Sequence, residues 1–272
     1  RGITGRYGSW MPALCIGRCQ CAGGLMRLLV DVGNSAVKWA FAGADDIAGG
    51  DRFVHRGLDI AAQLTRAWGS AQRPAEVCVV NVAGESMESA LTAWTRQHWS
   101  LIPKFFSSSD TAWGVTNAYS MSERLGVDRW VALIGAHHQH RGVVCVIDCG
   151  SAITLDLLAA NGQHQGGLIL PGIEMLKQVL VEDTAEVKPS AIPTLTTLLA
   201  SSTGSGVHSG AVYMVVAAID RIIGDLSAKQ GQDLEVLITG GDAGSIVTLL
   251  ARPAHHDPEL VLKGLAILAG ET

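Results

Sequence analysis

Two aspartates in a repeated motif are the first residues of this sequence that could do chemistry. Residues 28–42 read LLVDVGNSAVKWAFA and residues 145–159 read CVIDCGSAITLDLLA, and the two segments align without a gap. Asp31 and Asp148 occupy equivalent positions, each after an apolar run that predicts a strand. A repeat half a chain apart predicts two similar halves that face each other across a cleft. Carboxylates at the ends of those strands could hold cations there.

The residues that follow each aspartate favour phosphate binding. Gly33 and Gly150 allow the backbone to approach a ligand closely. The next amides, together with the side chain of Asn34 or Ser151, can donate hydrogen bonds to phosphate oxygens. A single Asp-x-Gly turn is more often an ordinary hairpin turn. Two such turns in register indicate a phosphate site.

A third glycine motif follows another predicted strand. Residues 234–244 (LEVLITGGDAG) place Gly240 and Gly241 before a helix predicted over residues 245–251, with Asp242 as its N-cap. A nucleotide could lie against the bare backbone of such a turn, although an ordinary strand-to-helix turn has the same pattern. The sequence contains no Gly-x-x-x-x-Gly-Lys-Ser/Thr motif, and the glycines of residues 204–210 lack the spacing and the preceding strand of a dinucleotide site.

An acidic and a basic side chain stand together near a predicted helix start. Apolar residues recur at helical spacing over residues 130–137, which predicts a helix that begins near Arg129 with Asp128 at its N-cap. In one interpretation Asp128 only caps the helix and Arg129 is solvated. In the other, Asp128 accepts a hydroxyl proton, the helix N-terminus keeps it ionised, and Arg129 binds a substrate carboxylate.

Taken in order, these motifs resemble those of the type III pantothenate kinases. The matching segments are Asp31-x-Gly-Asn-Ser, Gly126-Val-Asp-Arg129, Asp148-x-Gly-Ser-Ala-x-Thr154, Gly166-Gly-x-Ile-x-Pro-Gly172, Gly240-Gly241 and Asp257-Pro-Glu-Leu-x-Leu-x-Gly-Leu265. The resemblance extends from Met26 to Leu265. It implies an α/β fold with two ribonuclease-H-like lobes around a central cleft, as in actin, hexokinase and the sugar kinases. It also implies ATP-dependent phosphorylation of pantothenate to 4'-phosphopantothenate, the first step of coenzyme A biosynthesis.

The resemblance assigns one set of residues to ATP and its cations. The ATP-binding residues that it implies are Asp31, Val32, Gly33, Asn34, Ser35, Ala36, Val37, Lys38, Ser151, Gly240 and Gly241. It implies Mg²⁺ near Asp31 and a monovalent cation, K⁺ or NH₄⁺, at Asp148. Ser151 replaces the family's usual threonine and keeps the hydroxyl.

A second set is assigned to pantothenate. These residues are Tyr119, Gly126, Val127, Asp128, Arg129 and Thr203, with Asp128 as the proton acceptor. Ser122 stands three residues after Tyr119, where the family usually has proline, and this exchange loosens the loop. Neither departure removes a chemical group that the mechanism needs.

The resemblance implies a cytoplasmic homodimer that binds pantothenate and ATP. Two alternatives remain open: a regulatory accessory factor that keeps the fold and catalyses weakly or not at all, and a superfamily kinase for a different small hydroxylated substrate. Asp31, Asp128, Arg129 and Asp148 argue against an inactive site. The Gly-x-Asp-Arg motif together with Thr203 favours pantothenate.

The elements that position these residues belong to an apolar, mildly acidic chain. Its 272 residues are 48% hydrophobic and carry a net charge of −5, which predicts a large core and excludes a disordered chain. The acidic balance argues against nucleic-acid binding. No apolar run reaches the roughly 20 residues that cross a bilayer, so no membrane segment is expected. Alternating apolar and polar faces predict helices over residues 58–68 and 86–99.

The repeat and the resemblance divide the chain into three parts. Residues 1–25 are interpreted as a disordered or non-native tail, because they show no periodicity and their three cysteines lack a second metal-binding pair. Residues 26–142 are predicted to form the N-terminal lobe with the first phosphate loop and the pantothenate motif. Residues 143–272 are predicted to form the C-terminal lobe with the second phosphate loop and the adenosine motif.

The remaining predictions concern the histidines near residue 137, one loop and the cysteines after residue 25. The histidines of residues 137–140 do not share one helix face, so a metal site is not expected there. A mobile loop is predicted over residues 183–197. The other three cysteines lie in apolar runs, which favours a reducing compartment, the cytosol.

Overall fold

The structure is a computed structural model that describes residues 26–43, 46–183 and 195–270. The tail expected over residues 1–25, with its three cysteines, lies outside the described residues, as does most of the loop predicted over residues 183–197. The strands are β1 (Arg27–Val32), β2 (Ala36–Ala42), β3 (Ile47–Val54), β4 (Glu76–Asn81), β5 (Lys104–Phe105), β6 (Thr111–Ala112), β7 (Val115–Thr116), β8 (Val144–Cys149), β9 (Ala152–Leu158), β10 (His164–Pro171), β11 (Glu235–Thr239) and β12 (His255–His256). The helices are α1 (Ile60–Trp68), α2 (Glu85–Trp99), α3 (Val127–Gln139), α4 (Ile173–Asp183), α5 (Thr203–Gln230), α6 (Ala243–Ile246) and α7 (Leu260–Ala269).

Two five-stranded sheets share one topology. The strand order is β3-β2-β1-β4-β5 in the first sheet and β10-β9-β8-β11-β12 in the second. In each sheet the first three strands form an antiparallel meander, and the last two join it in parallel. The hairpins β1–β2 and β8–β9 are the two copies of the sequence repeat. The α/β class predicted from the sequence is therefore confirmed.

The central strands are buried on both faces, which explains their nearly continuous apolar sequences. In β1, Leu28 packs with α1 and α2, whereas Leu29 packs with α3 and α7. In β8, Ile147 packs with α4, α5 and α6, whereas Val146 packs with α3 and α7. Helices α3 and α7 therefore lie between the two sheets.

The crossing of α3 and α7 depends on two glycines. A Cβ atom on Gly135 of α3 would lie 2.9 Å from the carbonyl oxygen of Leu260. A Cβ on Gly264 of α7 would overlap the carbonyl oxygen of Val131. The two backbones can approach this closely only because these positions lack side chains. Helix α7 also contacts β1, β2 and β4, so it packs against the first sheet although it follows the second in sequence. The boundary between residues 142 and 143 stays a prediction.

Both of the outer helices predicted from periodicity are present, as α1 and α2. Asp59 starts α1, and its Oδ1 accepts hydrogen bonds from the backbone N–H groups of Ala61 and Ala62. No helix in the described ranges is long and apolar enough to cross a membrane.

Two predicted helix starts were wrong in detail. Helix α3 begins at Val127, and its cap is Gly126, whose carbonyl accepts the first helical hydrogen bond from Trp130; Asp128 therefore lies in the first turn and is not the N-cap. The helix predicted over residues 245–251 is the short α6 followed by a 3-10 turn at Val247–Leu249. Asp242 occupies the N-cap position of α6, as predicted, but its side chain makes no capping hydrogen bond, because its backbone is already helical (φ −95°, ψ −3°) and a side-chain cap needs an extended residue.

Candidate active site

Each of the two Asp-x-Gly turns is closed by a hydrogen bond from its glycine, but the turns differ in length. The N–H of Gly33 donates to the carbonyl of Ala36 at 3.0 Å, and the N–H of Gly150 donates to the carbonyl of Ala152 at 3.2 Å. Each bond closes a tight turn between the first two strands of its sheet. The repeat therefore keeps the order strand, turn and strand, but four residues form the turn after Val32 and three form the turn after Cys149.

The two turns meet across the cleft. The hydroxyl oxygens of Ser35 and Ser151 lie 2.7 Å apart and share a hydrogen bond, although the residues are 116 positions apart in the chain. One phosphate group could contact both hydroxyls at this distance. The prediction that the two halves face each other is borne out at these two residues.

The carboxylates of Asp31, Asp128 and Asp148 and the ammonium group of Lys38 lie close enough to interact electrostatically. Burial raises the pKa of Asp31 to about 7; Lys38, its register partner on β2, opposes the shift, while Asp148 and Asp128 add to it. Burial likewise raises the pKa of Asp148 to about 6, with Lys38 opposing and Asp128 adding to the shift. One lysine does not balance three carboxylates, so the cleft favours an added cation.

The donor set fits oxygen-preferring cations. Within residues 26–43, 46–183 and 195–270, no group of three His, Cys, Asp or Glu side chains converges to hold a metal by itself. Mg²⁺ commonly takes one or two carboxylates and completes its shell with phosphate oxygens and water, so Asp31 beside the glycine turn of residues 33–36 suits it. Thr239 lies opposite Asp148 in the register of β8 and β11, and its buried Oγ1 has no hydrogen-bond partner among the described residues. A neutral oxygen next to a carboxylate suits a monovalent cation.

Asp128 extends from the first turn of α3 toward these groups. Its Oδ1 accepts a hydrogen bond of 2.8 Å from the N–H of Arg129. Burial raises the pKa of Asp128 and outweighs the lowering effects of that N–H and of the Arg129 charge. The backbone N–H groups at the helix N-terminus favour the ionised carboxyl, as expected, but burial has the larger effect on its pKa, and the expectation that Asp128 stays ionised remains a prediction.

Arg129 is paired within the chain and not solvated. Its Nε donates to Oδ2 of Asp156 at 2.8 Å, and its Nη2 donates to Oδ1 at 2.6 Å. Its Nη1 donates to the hydroxyl of Tyr119 at 3.1 Å. Burial lowers the pKa of Arg129, but the hydrogen bonds and charge of Asp156 reverse this effect and raise it overall. The structure thus brings together Tyr119, Asp128 and Arg129 and adds Asp156, which sequence reasoning missed.

His164 is a second residue that sequence reasoning missed. It starts β10, is 1% exposed, and its Nε2 lies 2.9 Å from Oδ1 of Asp156. Burial opposes ionisation of Asp156, yet the hydrogen bonds from His164 and Arg129 lower its pKa overall. The signal in the sequence was an aspartate in the mainly apolar strand sequence ITLDLL, since a charged side chain at a buried strand position requires partners.

The Gly-Gly motif after β9 makes room for this ion pair. A Cβ on Gly167 would overlap Oδ1 of Asp156 and lie 2.7 Å from Nη2 of Arg129. At the other end of the motif, a Cβ on Gly172 would overlap the carbonyl of Ser151. The motif therefore allows close packing in the middle of β10, at Gly167, and directly after its end, at Gly172.

The turn at Gly240 and Gly241 lies directly against the turn that follows β8. Gly240 has φ +101°, and a Cβ there would overlap the carbonyl of Cys149. The N–H of Asp242 donates to the same carbonyl at 2.9 Å. From the first sheet, Nη1 of Arg52 lies 3.5 Å from the place where a Cβ of Gly241 would stand. All three glycine motifs thus border one cleft.

Thr203 is the one residue assigned to pantothenate that lies on α5. It is the first residue of α5 and is exposed, and the preceding Ser202 caps the helix by accepting from the N–H of Ser205. In the part of the chain that the structure describes, no hydrogen bond joins Thr203 to Tyr119, Asp128 or Arg129.

Comparisons with known proteins identify the relatives of this chain. A model of the family described as type III pantothenate kinase matches residues 27–225. Curated type III pantothenate kinases are 39% identical in Nitrosococcus oceani, over 91% of this chain and 95% of that protein, and 35% identical in Alcanivorax borkumensis, over 90% and 98%. The kinase of Halorhodospira halophila is 37% identical over 88% of this chain and 96% of its own.

Solved structures share the fold at lower identity. A protein of Sinorhizobium meliloti assigned as a 2-dehydro-3-deoxygalactonokinase aligns with a TM-score of 0.57 at 15% identity, over 90% of this chain and 96% of its own. A Campylobacter jejuni protein assigned to the Baf family of transcriptional activators aligns with a TM-score of 0.55 at 22% identity, over 90% and 98%. At these identities the likeness establishes the two-lobed fold alone.

Proposed function

This chain belongs to the type III pantothenate kinase family, and from that premise we propose that it transfers the γ-phosphoryl group of ATP to the primary hydroxyl of pantothenate. The product is 4'-phosphopantothenate, the first intermediate of coenzyme A biosynthesis. The observation that carries the proposal is the meeting of both phosphate turns, through Ser35 and Ser151, beside the mutually repelling carboxylates Asp31, Asp128 and Asp148.

The ATP side of the reaction uses the three glycine motifs. The turn of residues 31–38 and the hydroxyl of Ser151 bind the phosphates, and the Gly240-Gly241 turn accommodates the adenosine. Lys38 and the turn amides hold the negative charge that spreads over the transferred group. Mg²⁺ held by Asp31 and the phosphates would neutralise part of that charge when bound.

The pantothenate side uses the first turn of α3. Three of the five N–H donors of Arg129 are engaged by Asp156 and Tyr119, which leaves two for the pantothenate carboxylate. The hydroxyl oxygen attacks the γ-phosphorus, the bond from that phosphorus to the bridging oxygen of ADP breaks, and the hydroxyl proton passes to Asp128. A raised pKa suits this role, because a general base works best when its pKa lies near the working pH.

The protein acts as a homodimer in the cytosol in this proposal. Met175 and Val179 on α4 and Met214 on α5 are exposed apolar side chains on two helices that pack together. A second copy that covers them would account for their exposure, and Thr203 lies at the start of the same α5. The free, buried thiols of Cys78, Cys145 and Cys149 suit a reducing compartment.

The first experiment measures ADP release by the purified protein with pantothenate, with simple sugars and without an acceptor. We expect ADP release that requires pantothenate.

Asp128→Ala should lower kcat by about 10²–10⁴-fold, the usual contribution of a general base, and should leave ATP binding intact. Asp110→Asn, at an exposed loop position, is the matched control and should behave as wild type. Wild-type turnover in Asp128→Ala would contradict the role of Asp128 as the general base. A wild-type protein that releases no ADP with any acceptor would favour the regulatory accessory factor.

The monovalent cation is tested through Thr239. Replacing K⁺ by Na⁺ should lower the activity of the wild type, because the Asp148 site binds K⁺ or NH₄⁺ in this proposal. Thr239→Val keeps the shape and removes the unpartnered oxygen, so it should raise the K⁺ concentration that gives half-maximal activity. An unchanged K⁺ dependence in Thr239→Val would exclude this residue as a ligand, and equal rates in K⁺ and Na⁺ would exclude a K⁺-selective site.

A further inference from the structure

A closed circuit of hydrogen bonds joins the loop before α3 to the second sheet. The N–H of Ala118 donates to Nδ1 of His164 at 3.4 Å, and Nε2 of His164 lies 2.9 Å from Oδ1 of Asp156. Asp156 accepts two hydrogen bonds from Arg129, and Arg129 donates to the hydroxyl of Tyr119, the neighbour of Ala118. The circuit therefore returns to the segment where it began.

We propose that Asp156 and His164 are positioning residues for pantothenate binding: together they hold the Arg129 guanidinium and the Tyr119 loop in the geometry that receives the substrate. The inference rests on the proposed function, because it assigns Arg129 and Tyr119 to pantothenate. Neither Asp156 nor His164 touches a reacting atom in this mechanism.

The orientation of Arg129 follows from its partners. Its Nε and one N–H of Nη2 form a two-point contact with both oxygens of Asp156, which fixes the plane of the guanidinium. The donors that remain are one on Nη1 and one on Nη2, and neither lies on the edge that faces Asp156. Asp156 thus determines which edge of Arg129 faces a ligand.

His164 fixes Asp156 in turn. Because Nδ1 accepts from the backbone N–H of Ala118, the neutral ring carries its proton on Nε2 and donates it to Asp156. The His164 ring also stacks against Tyr119, with centroids 6.3 Å apart and planes inclined by 15°. One buried side chain therefore contacts both the carboxylate that holds Arg129 and the loop that carries Tyr119.

Three side chains of this hydrogen-bonded circuit are buried, so solvent does not compensate for the loss of a bond between them. Arg129 is 7% exposed, Asp156 2% and His164 1%, so water cannot replace a lost partner. A buried group that loses a charged hydrogen-bond partner is more strongly affected than an exposed one. Gly167 adds a steric limit, because a side chain there would displace the Asp156–Arg129 pair.

The test compares two variants at one position. His164→Phe keeps a planar ring and removes the donor, whereas His164→Gln keeps an N–H near the position of Nε2. We expect His164→Phe to raise the KM for pantothenate by about tenfold or more, the effect of losing one hydrogen bond to a charged group, with the KM for ATP within about twofold of wild type. His164→Gln should restore the pantothenate KM to within about threefold. The isosteric Asp156→Asn should raise that KM at least as much as His164→Phe.

A merely structural role would give a different pattern. It would lower the thermal midpoint and the active fraction, hence kcat, while the KM of the folded fraction stayed unchanged. His138→Phe, on the exposed side of α3, controls for the introduction of a phenylalanine. An unchanged pantothenate KM in both His164→Phe and Asp156→Asn, with circular dichroism like that of the wild type, would overturn the proposal.

A measurement without substrate separates this proposal from the kinase assignment. The Nε–H of Arg129, identified by its absence from the spectrum of Arg129→Lys, should exchange slowly with solvent in the wild type and in His164→Gln. Its exchange should be about tenfold faster in His164→Phe, in line with the loss of one such hydrogen bond. A wild type that fails to phosphorylate pantothenate would overturn the proposed function, and the exchange rates would still decide whether His164 positions Arg129. Equal exchange in His164→Phe and wild type would overturn the positioning role.

Discussion

At the scale of single residues, the cleft carboxylates destabilise the ligand-free fold. Asp31 and Asp148 have pKa values of about 7 and about 6, because burial and neighbouring carboxylates disfavour their charged forms. An exposed aspartate in the unfolded chain titrates near 3.9. The folded state therefore binds these protons more tightly than the unfolded state, so the contribution of each group to stability is complete below about pH 4 and is lost as the pH rises toward 6–7.

The first consequence concerns Asp31→Asn. We expect this variant to raise the thermal midpoint at pH 8 by roughly 2–4 °C, the change that about 1 kcal/mol produces in a chain of this size, and to raise it less at pH 5. At pH 8 the wild type must bury a charged carboxylate, whereas at pH 5 its Asp31 is already largely protonated in the fold. Differential scanning calorimetry without nucleotide or divalent cation measures both midpoints. Equal shifts at the two pH values, or an identical shift in the exposed Asp110→Asn, would contradict the explanation.

At the scale of elements, the contact between α3 and α7 aligns the two sheets. Asp128 and Arg129 project from α3, so their placement depends on how closely α3 packs against its neighbours. Gly135 and Gly264 set that distance, since each faces backbone of the other helix. The family motif that ends in Gly264 and Leu265 thus has a packing role in this fold.

Gly264→Ala tests this contact. Its new methyl group would overlap the carbonyl oxygen of Val131, and overpacking of this kind typically destabilises a protein by about 1–3 kcal/mol. We expect a lower midpoint in urea unfolding together with weaker pantothenate binding, because α3 must shift. Gly224→Ala is the matched control, since it is also a helical glycine and a Cβ there meets nothing within 4 Å. It should be neutral or stabilising, and the same loss of stability in both variants would argue against the crossing as the cause.

Features encoded locally could be predicted from the sequence, whereas long-range pairings could not. The repeat around Asp31 and Asp148 was recognisable because strand, turn and strand follow within fifteen residues. The Arg129–Asp156 pair was missed because it joins a helix to a strand 27 positions away, and no local pattern encodes which buried cation meets which buried anion. The cap of α3 was placed two residues late, since Asp128 has the composition of an N-cap and Gly126 provides the geometry.

At the scale of the whole molecule, five layers alternate helices and sheets. Helices α1 and α2 cover one side, α4, α5 and α6 cover the other, and α3 with α7 fill the centre. The site lies where the carboxyl ends of β1 and β8 approach each other, which the Ser35–Ser151 bond fixes. The exposed apolar side chains of α4 and α5 lie on the outermost layer of the second half.

The outer layer leads to a prediction about assembly. Met214→Glu would introduce a charge where a second copy is expected, so sedimentation should change from a dimer to a monomer at micromolar concentration. Ile102→Glu is the control, because Ile102 is as exposed, at 69% against 60% for Met214, and lies beside the first sheet. It should leave the dimer intact. A monomeric wild type, or a dimeric Met214→Glu, would contradict the assignment of this face.

The position of α7 also bears on the order in which the chain acquires its structure. Strands β1–β5 are synthesised before residue 106, but the face of their sheet that carries Leu29 and Val80 is covered in part by α7, which begins at Leu260. A ribosome that has released only the first half therefore leaves apolar strand surface without its final cover. Contacts between residues so distant in sequence form slowly. Apolar strand surface that stays exposed during this time favours aggregation. The duplicated halves look like two units in the sequence, yet the first half completes its core only when nearly the whole chain has emerged.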